Sequence, residues 1–250
     1  MNLSPSPHHL GQRLDLLLAE RILEGGLRGA ELFKMRQRRD ELWIIGLLSL
    51  RGIHVTLDDV TSCLERRPGR FLLQQPEARL IQGLRVAIDE IDEAVELRVP
   101  LDGDRLRDMH IAITENLEGQ DPGTLRSSAP WDSLPGLVHP GPDLVPVLIK
   151  RFSQHYDLVL GDEPFEELHP MDQAARIFGR LVLISPFRDF NLPVASLAAS
   201  QFLLSRGYPP FLPRANDRED LELDLGASDV ELARRFASIV FRGFVAMRAG

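Results

Sequence analysis

The side chains able to move a proton, hold a metal or attack a substrate are few in this chain. Their densest set lies in one stretch, Ser185-Pro186-Phe187-Arg188-Asp189-Phe190-Asn191-Leu192-Pro193-Val194-Ala195-Ser196, between two apolar runs. Ser185 offers a hydroxyl, which does not titrate near neutral pH and is no base by itself. Asp189 could hold a hard cation, but one carboxylate alone is a weak metal site. Asn191 suits the cap of a helix starting beside it. Pro193 then falls in the first turn, where its missing N–H costs nothing. Asp189 gains from the dipole of the same helix end. Read from its residues, the stretch is built as a stable turn.

The other candidates are scattered. His110 lies between Met109 and Ile111 in a helical pattern and reads as a core or supporting histidine. His139-Pro140 reads as loop chemistry, and His8-His9 lacks the fixed geometry a metal needs. Cys63 is the one cysteine, so no internal disulfide framework exists and a reducing compartment is expected. There is no Gly-rich phosphate loop, no CxxC pair and no HExxH. A net charge of −8 gives no general affinity for nucleic acid or anionic membranes. No apolar run is long enough to cross a bilayer, and the first residues carry no secretory pattern, so a cytoplasmic placement is expected.

The elements that must position these residues are helical. Leucines recur at helical spacing over residues 10–23, and a longer helix is expected over 30–50, charged first and apolar later. The run Lys34 to Arg39 reads as a solvated helix face. Thr56 and Asp59 form a capping box for a short helix to about residue 65. Pro76 opens a helix to about 97 whose apolar face carries Leu80, Leu84, Ile88, Ile91 and Val95. Further helices are expected over 104–117, 144–156, 163–184, 191–206 and 228–247, the last opened by Ser228 and Glu231. Residues 119–142 are rich in Pro, Gly and Ser, and are expected to form a functional loop, the one place where a hairpin could form. Residues 214–226 read as acidic and irregular. Trp43 reads as core, and Trp131 as a loop anchor or contact residue. The class is all-α.

The order of several segments resembles the Fic (Fido) family. His169-Pro170, then Ala174-Ala175, then Ile184-Ser185-Pro186-Phe187 follow the family's leading His-Pro, paired alanines and HPFx(D/E)GNGRxxR signature at matching spacing. Leu204 through Pro210 matches a following L…GYPP, and Leu106-Arg-Asp-Met-His110 resembles the family's LH helix. Gly123-Thr-Leu-Arg126 resembles the G-x-(Y/F)-R element before its target-docking flap. Arg51-Gly52-Ile53-His54-Val55-Thr56-Leu57-Asp58-Asp59-Val60 resembles the EGIxVTxxEV segment of members with an N-terminal inhibitory helix. Thr114 to Gly119 also fits the loose inhibitory pattern, but on the LH helix. The resemblance implies a Fic-like core over 101–213, an N-terminal helical lobe over 1–100 (its first nine residues a disordered arm), and an acidic linker with a C-terminal helix over 214–250.

The resemblance also says what is changed. The signature histidine, the family's general base, is Ser185. Its two phosphate-cradling glycines are Phe190 and Leu192, whose side chains should crowd a phosphate and disfavour positive φ. Its arginines are Pro193 and Ser196. Asp189 matches the Mg²⁺ carboxylate and Asn191 the loop asparagine. Arg51 stands at the inhibitory glutamate's position, so both ends of the inhibitory ion pair are gone together. The expectation is a relative of protein adenylyltransferases without catalytic residues or a needed cofactor. It would act as a binding or regulatory module, with a protein partner on loop 119–142. The rival is a transferase of altered chemistry using Asp189 with Mg²⁺ and ATP, and His110 or His139 as base. A homodimer through 228–247 is a third reading.

Overall fold

The computed structural model describes residues 11–18, 29–65, 76–134, 136–154 and 165–248. The pair His8-His9 lies outside them. Among the described residues the chain is all-helical, with no strand. Residues 11–18 form α1. Then come α2 (Ala30–Leu50), α3 (Leu57–Leu64), α4 (Pro76–Glu96), α5 (Gly103–Thr114), α6 (Val145–Gln154), α7 (Pro170–Ile184), α8 (Asn191–Ser205), α9 (Asp217–Ala227) and α10 (Asp229–Arg248).

Helix α8 is the axis of the fold. Every residue from Asn191 to Leu203 is buried, which requires neighbours on all sides. It pairs with α7 in a helical hairpin and is flanked by α4, α5 and α2. Small residues let those helices approach, and its hydroxyls are satisfied internally: Ser196 Oγ donates to the Leu192 carbonyl (2.8 Å), and Ser200 Oγ accepts from Phe211 N–H (3.1 Å). Helices α4 and α5 touch closely at Gly83, where a methyl group would stand 2.5 Å from the Ala112 carbonyl oxygen. Helix α10 spends its apolar stripe on α7, with Phe236 stacked on Phe211 at 4.3 Å and both rings tilted against Phe178.

Three expectations change. Residues 214–226 are not irregular: most form α9, held by Arg235 to Asp224 (2.9 Å) and Arg242 to Asp217 (2.7 Å) on α10. The helix expected over 163–184 is broken. Phe165–Glu167 is a 3₁₀ turn, and α7 starts afresh after His169, whose Nδ1 accepts from Met171 N–H at 3.2 Å. The basic run on α2 is not wholly solvated. Arg39 is buried between Asp40 and Asp92 (2.7 and 2.6 Å), and Arg85 joins the cluster through Asp40, tying α2 to α4. The capping box of α3 forms as read, Asp59 N–H donating to Thr56 Oγ1 (3.2 Å) and Thr56 N–H to Asp59 Oδ2 (2.8 Å). Trp43 and Cys63 are core residues.

Candidate functional site

The site lies where α7 hands over to α8. Helix α7 stops at Ser185, which takes a left-handed conformation (φ 43°, ψ 71°) before Pro186. The buried Ser185 hydroxyl donates to the Val182 carbonyl at 2.7 Å, so its proton is spent inside the helix end. The last carbonyls of α7 would otherwise be orphaned. Arg126, from the loop before α6, satisfies them. Its buried guanidinium donates to Ser185 O (2.6 Å) and Ile184 O (3.2 Å), and also to Ser128 O (2.9 Å) and Pro140 O (2.6 Å). Among the described residues it has no carboxylate partner, and burial lowers its pKa.

Arg126 thereby closes loop 119–142 onto the α7 end. The backbone repeats the attachment: Arg126 N–H donates to Pro186 O (2.9 Å) and Trp131 N–H to Arg188 O (2.7 Å). The described part of the loop forms no hairpin, because two of its N–H groups turn inward to the 185–190 turn. Outside, the Trp131 ring is 60% exposed under the Arg188 guanidinium, 4.2 Å from the ring centre.

At the start of α8 the arrangement departs from the sequence reading twice. Phe190 is the N-cap residue and holds φ 60°, ψ 24°, the left-handed geometry its side chain was expected to disfavour. Its ring is buried, and the Arg51 guanidinium lies 5.6 Å from the ring centre. Asn191 does not cap α8. Its Oδ1 accepts from Phe187 N–H (2.8 Å) and its Nδ2 donates to Phe187 O (2.9 Å), fixing the preceding turn. The cap is Asp132, from the loop. Asp132 Oδ2 accepts from Asn191 N–H (2.6 Å) and, more loosely, Leu192 N–H (3.4 Å), and Oδ1 accepts from Asn191 Nδ2 (2.7 Å). A carboxylate of the protein thus sits on the positive end of α8, the natural seat of an anion. Burial raises the Asp132 pKa, and the charge of Asp189 raises it further against the pull of these donors. Leu192 and Pro193 follow in the first helical turn, and both are buried.

Asp189 is engaged by Arg51. Arg51 Nε donates to Oδ1 (2.7 Å) and Nη2 to Oδ2 (2.9 Å), and this hydrogen bond, set against partial burial, raises the arginine pKa. The expected loss of an ion pair at position 51 is therefore only half the finding. The pair expected with position 196 is absent, since Ser196 donates to Leu192, but a new pair of reversed polarity joins the end of α2 to the turn.

Neither rival base is hydrogen-bonded to the side chains of this pair. His110 stacks on Phe187 (4.0 Å, 9°), and its Nδ1 accepts from Gly123 N–H at 3.0 Å, leaving Nε2 buried without a well-formed hydrogen bond. Burial lowers its pKa to about 4, against the smaller opposing effects of the Asp189 backbone and the Asp189 and Asp121 charges. His139 Nδ1 faces the Leu183 carbonyl at 3.0 Å and so carries the proton, leaving Nε2 to accept from Ser133 Oγ at 2.8 Å.

Above Asp189 and Phe190 a cleft of about 550 Å³ remains, lined also by Arg51, Ile53, Arg79 and Leu117. As arranged, the residues do not fit a metal–nucleotide phosphate group. Both Asp189 oxygens face a guanidinium, the first N–H groups of α8 face Asp132, and Pro193 offers no N–H. Among the described residues no cluster of three or more metal-ligating side chains occurs. Sequence reading missed Asp132, because its partner lies 59 residues away and no periodicity links them. It missed the Arg51–Asp189 pair although the opposite charges were in view.

No protein-family model matches the chain. It is 27% identical over 165 residues to the protein adenylyltransferase Fic of Drosophila virilis, covering 66% of this chain and 33% of that one. To its Drosophila willistoni counterpart it is 26% identical over 203 residues, covering 80% of this chain and 40% of the relative. The chain thus spans about a third to two fifths of the length of these curated relatives. Among solved structures, Fic-1 from C. elegans superposes with a TM-score of 0.76 at 19% identity, covering 97% of this chain and 71% of that one. A Fic-domain signalling protein from Bacteroides thetaiotaomicron gives 0.79 at 16% identity, covering 96% of each. IbpAFic2 covalently tethered to Cdc42 gives 0.51 at 16%, covering 86% of this chain and 72% of that one. The order of the sequence segments, the all-helical fold and these similarities agree: the chain has the fold of Fic (Fido) domains.

Proposed function

We propose that this chain is a catalytically silent relative of protein adenylyltransferases, acting as a protein-binding or regulatory module. The observation that carries the reading is Ser185. At the position of the family's base stands a buried hydroxyl already donating to Val182 O, and the nearest histidines are committed to Gly123, Phe187, Ser133 and Leu183. A target hydroxyl would find no proton acceptor there. The Arg51 and Asp132 contacts support the further reading that neither Mg²⁺ nor ATP is a working cofactor.

A protein partner is supported by the solved IbpAFic2 complex with Cdc42 and by the exposed face of loop 119–142. That loop presents Trp131 and Val138, the latter 90% exposed, on a backbone fixed by Arg126. Large rigid aromatic contacts on an ordered loop lose little entropy on binding. The buried Cys63 suits a reducing compartment, in keeping with a cytoplasmic placement. No helix of the described residues is long and apolar enough to cross a membrane.

The test is transfer of label from α-³²P-ATP with Mg²⁺ to the chain itself and to proteins of a cell extract. No incorporation is expected from the wild type or from Ser185→His, since a base alone does not restore the phosphate seat. Incorporation by the wild type that disappears in Asp189→Ala would sink the proposal and establish the altered-transferase reading.

A further inference from the structure

The end of α4 and the start of α5 enclose a hollow of about 420 Å³. Leu97, Val99 and Ile111 line it, and they are 67, 42 and 37% exposed. Single exposed apolar side chains are ordinary, whereas several gathered in one hollow mark a contact surface. The hollow is remote from the cleft above Asp189. That cleft borders the first turns of α4 and the hollow its last, about 20 Å apart along the helix axis.

The backbone holds these side chains out against a local strain. Helix α4 ends in a double turn, with Val99 N–H donating to Ala94 O (2.8 Å) and Arg98 N–H to Val95 O (3.3 Å). This ending places the second residue past the helix in the left-handed region, where glycine is usual. Here it is Arg98, at φ 55°. Such a conformation is unfavourable for a side-chain-bearing residue and persists only where its surroundings fix it. Gln201 of α8 helps to fix it, donating from Nε2 to Val99 O (3.3 Å). Leu97 and Val99 flank Arg98 and are thus presented on a set backbone, which reduces the entropy lost on binding.

The charge around the hollow is one-sided. Its described lining carries the carboxylates of Glu90, Glu93 and Asp108 against the guanidinium of Arg105. That guanidinium is turned inward: the side chain is 9% exposed, Nε donates to Gln201 Oε1 (3.2 Å), and Nη2 is buried without a hydrogen bond. It reaches Glu90 at 3.3 Å and Asp108 only at 3.8 Å, and Glu93 has no ion pair among the described residues. Burial pushes the Glu90 carboxyl up, and the charges of Asp108 and Glu115 push it further against the pull of Arg105. Excess negative charge around an apolar hollow selects a ligand that is cationic and apolar at once, and repels nucleic acid and anionic lipid. We propose that this hollow is a second docking site, for a short segment of another protein that carries lysine or arginine beside large apolar residues. It is separate from loop 119–142 and does not depend on whether the Ser185–Ser196 turn is silent. An apolar side chain of the segment packs on Leu97, Val99 and Ile111, while its cations meet Glu93 and Asp108 at the solvated edge.

The probe is a display library of random linear peptides selected on the full chain, with the recovered peptides then titrated by fluorescence anisotropy. Recovered sequences should pair Lys or Arg with Leu, Ile, Phe or Trp. Glu93→Lys/Asp108→Lys reverses two exposed charges and should weaken their binding at least about ten-fold at low salt, with a smaller loss at high salt. Leu97→Ser should also weaken it at least about ten-fold, the size of a buried leucine contact. Trp131→Ala, on the loop, should leave it unchanged. Because the altered residues are exposed, the variants should melt with the wild type. Should one fail to fold, amide exchange of the wild type decides in its place: bound peptide should slow it over residues 94–111, and an unchanged pattern there overturns the proposal. Recovery of no peptide, recovery of peptides without basic residues, or binding that survives both groove variants overturns it as well. So does binding lost in Trp131→Ala alone, which belongs to the loop. Self-association of the wild type in sedimentation, abolished by Glu93→Lys/Asp108→Lys, would assign the hollow to a second copy of this chain and overturn the foreign partner.

Discussion

Arg126 is the residue on which the ordered loop most depends, and its removal has a calculable cost. Its side chain gives hydrogen bonds to Ser185, Ile184, Ser128 and Pro140 carbonyls at 2.6, 3.2, 2.9 and 2.6 Å. Two of these are the end of α7 and two are on the loop, so the guanidinium is the joint between them. In Arg126→Ala, each buried carbonyl left without a donor costs about 1–3 kcal/mol. The Ser185 and Ile184 carbonyls alone bring the expected loss to roughly 4 kcal/mol, a large share of the ~5–15 kcal/mol that holds a domain folded. At about 2–4 °C per kcal/mol for a domain of this size, the melting temperature should fall by roughly 8–16 °C. Arg126→Lys keeps the charge, but a point-like ammonium cannot span four carbonyls, so its loss should be about half as large. Urea unfolding followed by circular dichroism gives the energies, and amide hydrogen exchange over residues 123–140 reports the loop. A loss under about 1 kcal/mol in Arg126→Ala, with loop protection unchanged, would refute the reasoning.

Two further outcomes follow from strain and burial. Phe190 holds φ 60°, which costs a non-glycine residue about 1–2 kcal/mol, while its buried ring returns more than that. Both Phe190→Gly and Phe190→Ala should therefore destabilise, but the glycine variant should be the more stable by about 1 kcal/mol; the reverse order in urea unfolding would remove the strain argument. His110 has its pKa lowered from 6.5 to about 4 in the folded chain. The unfolded chain therefore takes up the proton first as pH falls. Its contribution is fully present above about 6.5 and is lost between 6.5 and about 4, on the order of 3 kcal/mol in all. The buried Asp40 and Asp132 carboxyls, with raised pKa values, act in the opposite sense, so the effect is read as the difference between wild type and His110→Gln across that range. A folded-state ring titrating near 6.5 by NMR contradicts it.

Much of the helical frame is legible from local chemistry. Residues 30–50 announce α2 by their shift from charged to apolar, Thr56 and Asp59 announce α3, and Pro76 opens α4 where its missing N–H is harmless. Helix α9 is illegible because its stability is tertiary: a strongly acidic helix forms where Arg235 and Arg242 of α10 neutralise it. The break at His169 is hidden because the apolar period runs through it, while the backbone is redirected by a side-chain cap. At the site, Ser185, Asp189 and the turn residues are found by spacing, but their partners are not. Asp132 reaches Asn191 across 59 positions and Arg51 reaches Asp189 across 138, distances at which sequence carries charge but no register. Phe190 shows the other limit: a conformation unfavourable to a residue is adopted when burial over-determines it.

The most direct test of a self-filled, chemically silent site is calorimetric titration of the wild-type chain with ATP in the presence of Mg²⁺ at neutral pH. With Arg51 on Asp189 and Asp132 on the start of α8, no saturable heat and no rise in melting temperature at millimolar ligand is expected. Saturable, Mg²⁺-dependent binding that vanishes in Asp189→Ala would contradict the account, because the metal and phosphate seats would then be open.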